Sequence, residues 1–480
     1  FDGDSGTLRF EPAEGLRPGS RYEVTLSALL GGPLRAASDS GAYSWQFATS
    51  VPQVVALSPA DQDTTVDLSA GGIVVTFDGF LDEQALIEEG AVDLRREGQV
   101  VELREAPLFD GDSGTLRFEP AEGLRPGSRY EVTLSALLGG PRRAVSDSSA
   151  YNWQFATSVP QVVALTPADQ DTTVSVSADG IVVTFDGPLD EQALAAEGAV
   201  QLFAEGVEIP LTSPVYDDGP NTLSMMPTAG LRPGTSYRVQ ITSDVRGPRA
   251  DDGVIWTFAT EVPRVTATDP ADGASISAGS RRIQVQFSSA VDESGVHPRN
   301  FRLSQGGRPL MLAVGEFLYD AETFTVSLPT VELVSGSGYR LVVSARIGGP
   351  GARGPDLDIL FTTDIPSVVS TLPDDGAEGV STGQSTLQTT FSGPIARRDD
   401  GGFILRARSL SDVLTSDGET TFQIVPITGF GTDSSLTVVN FAPEGGLVDF
   451  TEYEVAIAPR VFGSLSDETF TWRFSTAARL

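Results

Sequence analysis

FDGDSGTLRFEPAEGLRPGSRYEVTLSALLGGP occupies residues 1–33 and returns without a change at residues 109–141, an offset of 108. A 33-residue identity inside one chain makes the repeat the first thing to trace. Weaker copies follow the strong one. All four Trp open a W-x-F motif, at Trp45, Trp153, Trp256 and Trp472, and Ile359 stands in the fifth such place, in DILFTT. The Phe of this motif (Phe47, Phe155, Phe258, Phe361, Phe474) recurs at separations of 108, 103, 103 and 113 residues. Solenoid repeats run to about 50 residues at most, whereas about 100 residues is the size of a whole β-sandwich domain.

Each period opens alike. VPQVVALSP (51–59), VPQVVALTP (159–167), VPRVTATDP (262–270) and IPSVVSTLP (365–373) carry Pro near both ends of a short apolar stretch. Pro donates no ladder hydrogen bond, so this reads as a first, edge strand. IVVTF (73–77), IVVTF (181–185), IQVQF (283–287) and LQTTF (387–391) follow. Their alternation, as in Ile73, Val75 and Phe77, is the period-2 signature of a strand with one buried face.

Further on comes L-x-P-G-x-x-Y-x-V, from Leu16 to Val24, Leu124 to Val132 and Leu231 to Val239. Pro-Gly sets a tight turn, and the Tyr enters a strand. Five of the nine Tyr sit here (Tyr22, Tyr130, Tyr237, Tyr339, Tyr453), a placement similar to the tyrosine corner of Greek-key sandwiches. Only LDEQALIEEG (81–90) and LDEQALAAEG (189–198) offer one or two helical turns, so the fold class is all-β. The aligned Trp and Tyr are expected in the cores.

The succession P-x-V-x(4)-P, I-x-V-x-F-[SD], L-x-P-G-[ST]-x-Y-x-V and W-x-F-x-T resembles the bacterial Ig-like domains of S-layer and other surface proteins. The resemblance implies tandem Greek-key sandwiches in an elongated rod. They comprise the C-terminal half of a domain at 1–50, domains at 51–158, 159–261 and 262–364, and a divergent domain at 365–480. Two departures stand out: Leu333-Val-Ser-Gly in place of L-x-P-G, and Leu447-Val-Asp-Phe in the last copy, which also has longer loops through 407–437. Connections such as Thr157-Ser-Val-Pro160 are short and Pro-restricted, which limits the angles between neighbours. Residue 1 falls inside a repeat, so the chain reads as a piece of a longer polypeptide.

GDSG, at 3–6 and 111–114, is similar to the segment around the reactive serine of chymotrypsin-like proteases, and GDS also opens a catalytic block in another hydrolase family. A nucleophilic Ser needs a base. The sole His, His297, lies in a different repeat, with Ser294 rather than Asp three residues before it, and Cys is absent. YDDGPNTL (216–223) and YDAETFTV (319–326) fill the same slot without the motif. It therefore reads as a hairpin turn. No catalytic, cofactor-binding or metal residue is assigned, and no enzyme activity is expected.

Calcium is the one cofactor left open. D-G-D-S-G partly imitates the start of an EF-hand loop, without its twelfth-position Glu, and Asp61, Asp63, Asp169 and Asp171 sit near a domain junction; against calcium, similar turns recur as PADG (270–273) and PDDG (373–376), where turn formation alone explains them. The absence of Cys excludes disulfides and Cys-ligated zinc. Formal net charge is −33, and every one of the 32 basic residues is Arg. Such a chain repels nucleic acid and anionic membranes, and no apolar run reaches the length of a membrane span. The Arg pairs (Arg95-Arg96, Arg142-Arg143, Arg281-Arg282, Arg397-Arg398) read as solvated faces and intramolecular charge partners.

The expected role is a non-catalytic spacer or stalk of a large extracellular, adhesin-like surface protein. Its partners would be neighbouring domains or copies of itself, or a surface glycan or protein. Two alternatives stand beside it: a subunit of an extracellular filament or S-layer-like lattice built by lateral or strand-addition contacts, and a glycan- or protein-binding accessory array of a secreted enzyme.

Overall fold

The computed structural model describes residues 1–27, 30, 43–69, 71–88, 90–146, 151–397, 399–411 and 421–478. Arg398 and most of the loop GPLRAASDSGAY (32–43) lie outside them. The chain divides into two compact units. The first holds Phe1–Asp171, Asp179–Ala229 and Tyr237–Phe258, and the second Thr172–Ala178, Gly230–Ser236 and Ala259–Leu480.

The sandwich that follows residue 50 shows how the sequence pattern becomes a fold. Its strands are β1 (Val54–Ser58), β2 (Ile73–Phe77), β3 (Val92–Arg96), β4 (Gln99–Val100), β5 (Leu108–Asp110), β6 (Thr115–Phe118), β7 (Arg129–Leu134) and β8 (Tyr151–Ala156). They form two four-stranded sheets, in the orders β1-β2-β6-β5 and β8-β7-β3-β4. The Pro-flanked strand β1 is at an edge, as its sequence requires. Ile73 and Val75 are fully buried and Phe77 nearly so, while Val74 and Thr76 are half-buried. The alternation thus aims one face of β2 across the sandwich at Leu94, Tyr130, Val132, Trp153 and Phe155 of the other sheet. Asp82 caps a single helical turn at Glu83–Leu86, its carboxylate accepting the Gln84 N–H at 3.2 Å. An isolated parallel bridge joins Val66 to Thr157.

In the second unit the same bridge grows into a fifth strand. Ser275–Ile276 runs parallel to Leu357–Thr363, and Ala377–Val380 parallel to Phe470–Thr476. Each of these sandwiches has its own closed apolar core. The all-β expectation is met. Short 3-10 turns at Ala136–Gly139, Ser243–Arg246 and Ala345–Gly348 are additions that the apolar pattern did not announce.

The W-x-F strand pairs with the tyrosine strand in one register throughout. Tyr130 faces Phe155, Tyr339 faces Phe361 and Tyr453 faces Phe474. The rings stack at 5.2–5.3 Å between centroids. Trp153 sits opposite Val132 and Trp472 opposite Val455, whereas Ile359 sits opposite the larger Leu341, which recovers part of the lost volume. In the copy at residues 1–50 the same residues are uncovered: Trp45 is 45% exposed, against 6% for Trp153.

Candidate functional site

The GDSG segment is the hairpin between β5 and β6. Asp110 accepts the Asp112 N–H at 3.1 Å and the Ser113 hydroxyl at 2.7 Å. Its carboxyl is held below the usual range, first by the Ser113 hydroxyl and then by the Asp112 amide. Gly114 adopts φ +68, and a Cβ there would lie 2.6 Å from the Phe77 carbonyl oxygen, so Gly is required for the turn to lie on β2. The serine is therefore bound to an ionised carboxylate of its own turn, which orders the loop and, with its pKa lowered by these bonds, is a poor general base. Asp320 forms the same turn with Thr323, at 2.7 Å, and Asp433 a fuller one. His297 Nδ1 accepts the Arg299 N–H at 3.3 Å, within another sandwich.

Asp433 gives the clearest pH dependence. Its carboxylate accepts the Ser435 hydroxyl, the Val438 N–H at 2.8 Å and the Thr437 N–H at 2.7 Å. These bonds lower its pKa from 3.8 to about 2. A depressed folded-state value means the contribution is complete above the unfolded value and is lost as pH falls through the folded one. Acidification from about pH 4 to about pH 2 should therefore destabilise the hairpin Ile427–Thr432/Val438–Pro443, and Asp433→Asn should flatten that part of the profile. Thermal unfolding at the two pH values checks this; an unchanged slope in Asp433→Asn overturns it.

The side chains weighed as calcium ligands accept backbone N–H groups of their own sandwich. Asp61 accepts the Gln154 N–H at 3.1 Å, Asp63 the Thr65 N–H at 2.9 Å, and Asp169 the Thr257 N–H at 2.9 Å. Among the described residues, no group of three or more His, Asp or Glu side chains is arranged to hold a metal ion. Of the paired arginines, Arg95 meets Asp93 at 2.9 Å and Arg281 meets Asp269 at 2.7 Å, and Arg397 pairs with Asp399. Arg142 does something else.

The L-x-P-G turn is held from both sides. The Tyr130 hydroxyl accepts the Arg125 N–H at 2.8 Å, and the buried Thr157 hydroxyl donates to the Arg125 carbonyl at 2.6 Å while accepting the Ser128 N–H at 2.9 Å. Thr157 is the Thr of W-x-F-x-T. The same two anchors hold Arg17, through Tyr22 and Thr49, and Val334, through Tyr339 and Thr363. Leu333-Val-Ser-Gly thus keeps the turn without its proline.

What the turn presents is a Gly carbonyl to the next sandwich. Within the first unit, Gly19 O accepts the Arg142 N–H at 2.8 Å and Gly127 O accepts the Arg249 N–H at 2.8 Å. Within the second, Gly234 O accepts the Gly351 N–H at 2.5 Å and Gly336 O accepts the Leu465 N–H at 2.8 Å. Each donor follows by two residues a second Gly at the end of the short helical turn: Gly140, Gly247, Gly349 and Gly463. The paired glycines meet face to face. A Cβ on Gly127 would lie 2.5 Å from the Arg246 carbonyl oxygen, and one on Gly247 would collide with Pro126 O. All eight have positive φ, which Gly adopts at no steric cost.

Side chains reinforce the contact. The Arg142 guanidinium donates to Thr49 O at 2.8 Å and that of Arg249 to Thr157 O at 2.6 Å. Arg17 reaches Asp82 at 3.0 Å, and Arg125 stands 3.6 Å from Asp190 with both side chains largely buried. The Asp that caps the short helix therefore also receives the Arg of the preceding turn. Sequence reading found the short, Pro-restricted connections and missed this contact. Its signal is the Gly-Gly of LLGGP and IGGP, which reads as loop composition until it is seen against Pro-Gly.

Solved structures that the chain matches include the N-terminal part of the bacterial S-layer protein SbsC, at 15% identity over 44% of each chain with a TM-score of 0.17. They also include SbsC domains 1–6, at 12% identity over 90% of this chain and 55% of that one (TM-score 0.17), and the insect immune protein hemolin, at 10% identity over 89% and 100% (TM-score 0.18). The chain spans about half the length of the S-layer structures it matches. No curated protein matches it. The family model for the bacterial Ig-like domain matches residues 48–157, 156–260, 259–350 and 362–476. With that model repeated over most of its length, the chain belongs to the bacterial Ig-like domain family.

Proposed function

We propose that the chain is a non-catalytic structural segment of a bacterial surface or extracellular protein, in which sandwiches docked in fixed register act as a spacer. The observation that carries this reading is the junction contact itself: one backbone hydrogen bond and one Gly–Gly apposition recur at four places. A short linker alone limits angles; a shaped contact at each linker selects one of them, and that is useful where spacing is the product. Family membership supports the surface setting. Among the described residues no helix is long and apolar enough to cross a membrane.

Electron microscopy of native material, taken before any step that dissolves an assembly, tests the reading. Separate threads projecting from cells are expected. A planar or helical lattice with this chain at each node would overturn the spacer reading in favour of the lattice alternative, and would move attention from the junctions to the lateral faces of the sheets.

A further inference from the structure

The fifth copy of the acceptor turn breaks the pattern at the atom that matters. Its framework is intact: Tyr453 OH accepts the Val448 N–H at 2.8 Å, and the Thr476 hydroxyl donates to Val448 O at 2.6 Å and accepts the Thr451 N–H at 2.9 Å. The residue in the glycine's place is Phe450. The backbone equivalence is close. Phe450 N–H donates to Ala477 O at 3.0 Å, as Gly127 N–H donates to Ser158 O at 2.9 Å and Gly336 N–H to Asp364 O at 3.0 Å. Its φ is +48, against +53 at Gly127 and +54 at Gly336.

Two things follow for this face. A left-handed conformation disfavours a residue with a bulky side chain, so Phe is tolerated here at a cost that Gly would avoid. The side chain also begins where, in the other four copies, the backbone of the next sandwich lies. The carbonyl is spent as well: Phe450 O accepts the Leu410 N–H of its own sandwich at 3.0 Å, whereas Gly19, Gly127, Gly234 and Gly336 keep theirs for a neighbour. Leu410 belongs to the segment that lengthens the loops of this copy. The same sandwich still carries the donor side of the contact, at Gly463 and Leu465.

We propose that the sandwich 365–480 is a capping unit. It docks onto the sandwich before it, and its own acceptor face is closed to any further sandwich of this family, in the same chain or in a second copy. A head-to-tail contact that does not close grows without limit unless one end is blocked. Phe450 and Leu410 supply that block, and any segment that follows is attached without the junction contact.

The test joins an additional copy of residues 159–264 directly after Ala477, so that its first residue follows Thr476 by two positions, as Ile365 follows Thr363. The readout is hydrogen exchange at the added copy's Arg249 amide, which in its normal place is bonded to Gly127 O. With Phe450 present this amide should exchange as an exposed one. In the variant Leu410→Pro/Phe450→Gly, which removes both the internal donor and the side chain, it should slow by about tenfold or more, the value of one net hydrogen bond. Slowed exchange with Phe450 in place overturns the proposal. Fast exchange in the double variant, with the Tyr453 and Phe474 amides still protected, overturns the assignment of the block to these two residues.

Discussion

Trp472→Ala should destabilise the last sandwich by about 3–5 kcal/mol, as truncation of a fully enclosed large aromatic does, whereas Trp472→Phe should cost well under half of that. Trp472 is 1% exposed and packs with Phe441 and Phe470 at 6.4 and 6.3 Å between centroids. Its indole N–H is buried without a hydrogen-bond partner, as are those of Trp153 and Trp256. A buried donor left unpaired costs about 1–3 kcal/mol, so a phenyl ring that gives up part of the volume also gives up that penalty. The repeat has already made a similar change: Ile359 takes the place of Trp opposite Leu341 and is buried to 3%, with no polar bond to replace. Hydrogen exchange across 365–478 of the full chain separates the two variants. Equal losses for Ala and Phe would mean the indole N–H is satisfied and the argument from its isolation is wrong.

How far the sequence carried the structure depended on how local each device is. Ile73-Val-Val-Thr-Phe77 alternates over five residues, so its strand and its buried face were readable directly. The tyrosine corner needs two residues five apart, such as Arg125 and Tyr130, and was equally plain. GDSG was legible as a turn because YDAETFTV and YDDGPNTL occupy its slot with other letters, and the turn depends on Asp at its first position and not on Ser. The junction was hidden for the opposite reason. Gly127 and Gly247 lie far apart in the chain, carry no side chain to leave a pattern, and matter through the space they do not fill. Leu447-Val-Asp-Phe stood out as a departure, but what it alters, a carbonyl turned from a neighbour to Leu410, exists only in three dimensions.

Gly463→Ala should open the contact between the last two sandwiches and leave both of them folded. Gly463 has φ +132 and faces Gly336, whose Cα and carbonyl oxygen would each lie 2.5 Å from a new Cβ; carbon atoms at rest stand about 3.5–4.0 Å apart. An L-residue at this φ is also strained, by about 1–3 kcal/mol. Neither Gly336 nor its turn can yield, because the Thr363 hydroxyl donates to Val334 O at 2.6 Å and Tyr339 OH accepts the Val334 N–H at 2.7 Å. The displacement therefore falls on the junction, where the Leu465 N–H would leave Gly336 O. Loss of that bond should speed exchange of the Leu465 amide by about tenfold to a hundredfold, at 1.4 kcal/mol per factor of ten, while the amides of Val455 and Phe474 keep their protection. Gly445→Ala is the control. It lies in the same sandwich at φ +83, with nothing within 4 Å of a new Cβ, so it carries backbone strain without a collision and should leave Leu465 protected. If the Leu465 amide stays slow in Gly463→Ala, the glycine pair does not set the junction, and the fixed spacing would have to come from the short Pro-restricted connection at Asp364-Ile-Pro366 alone.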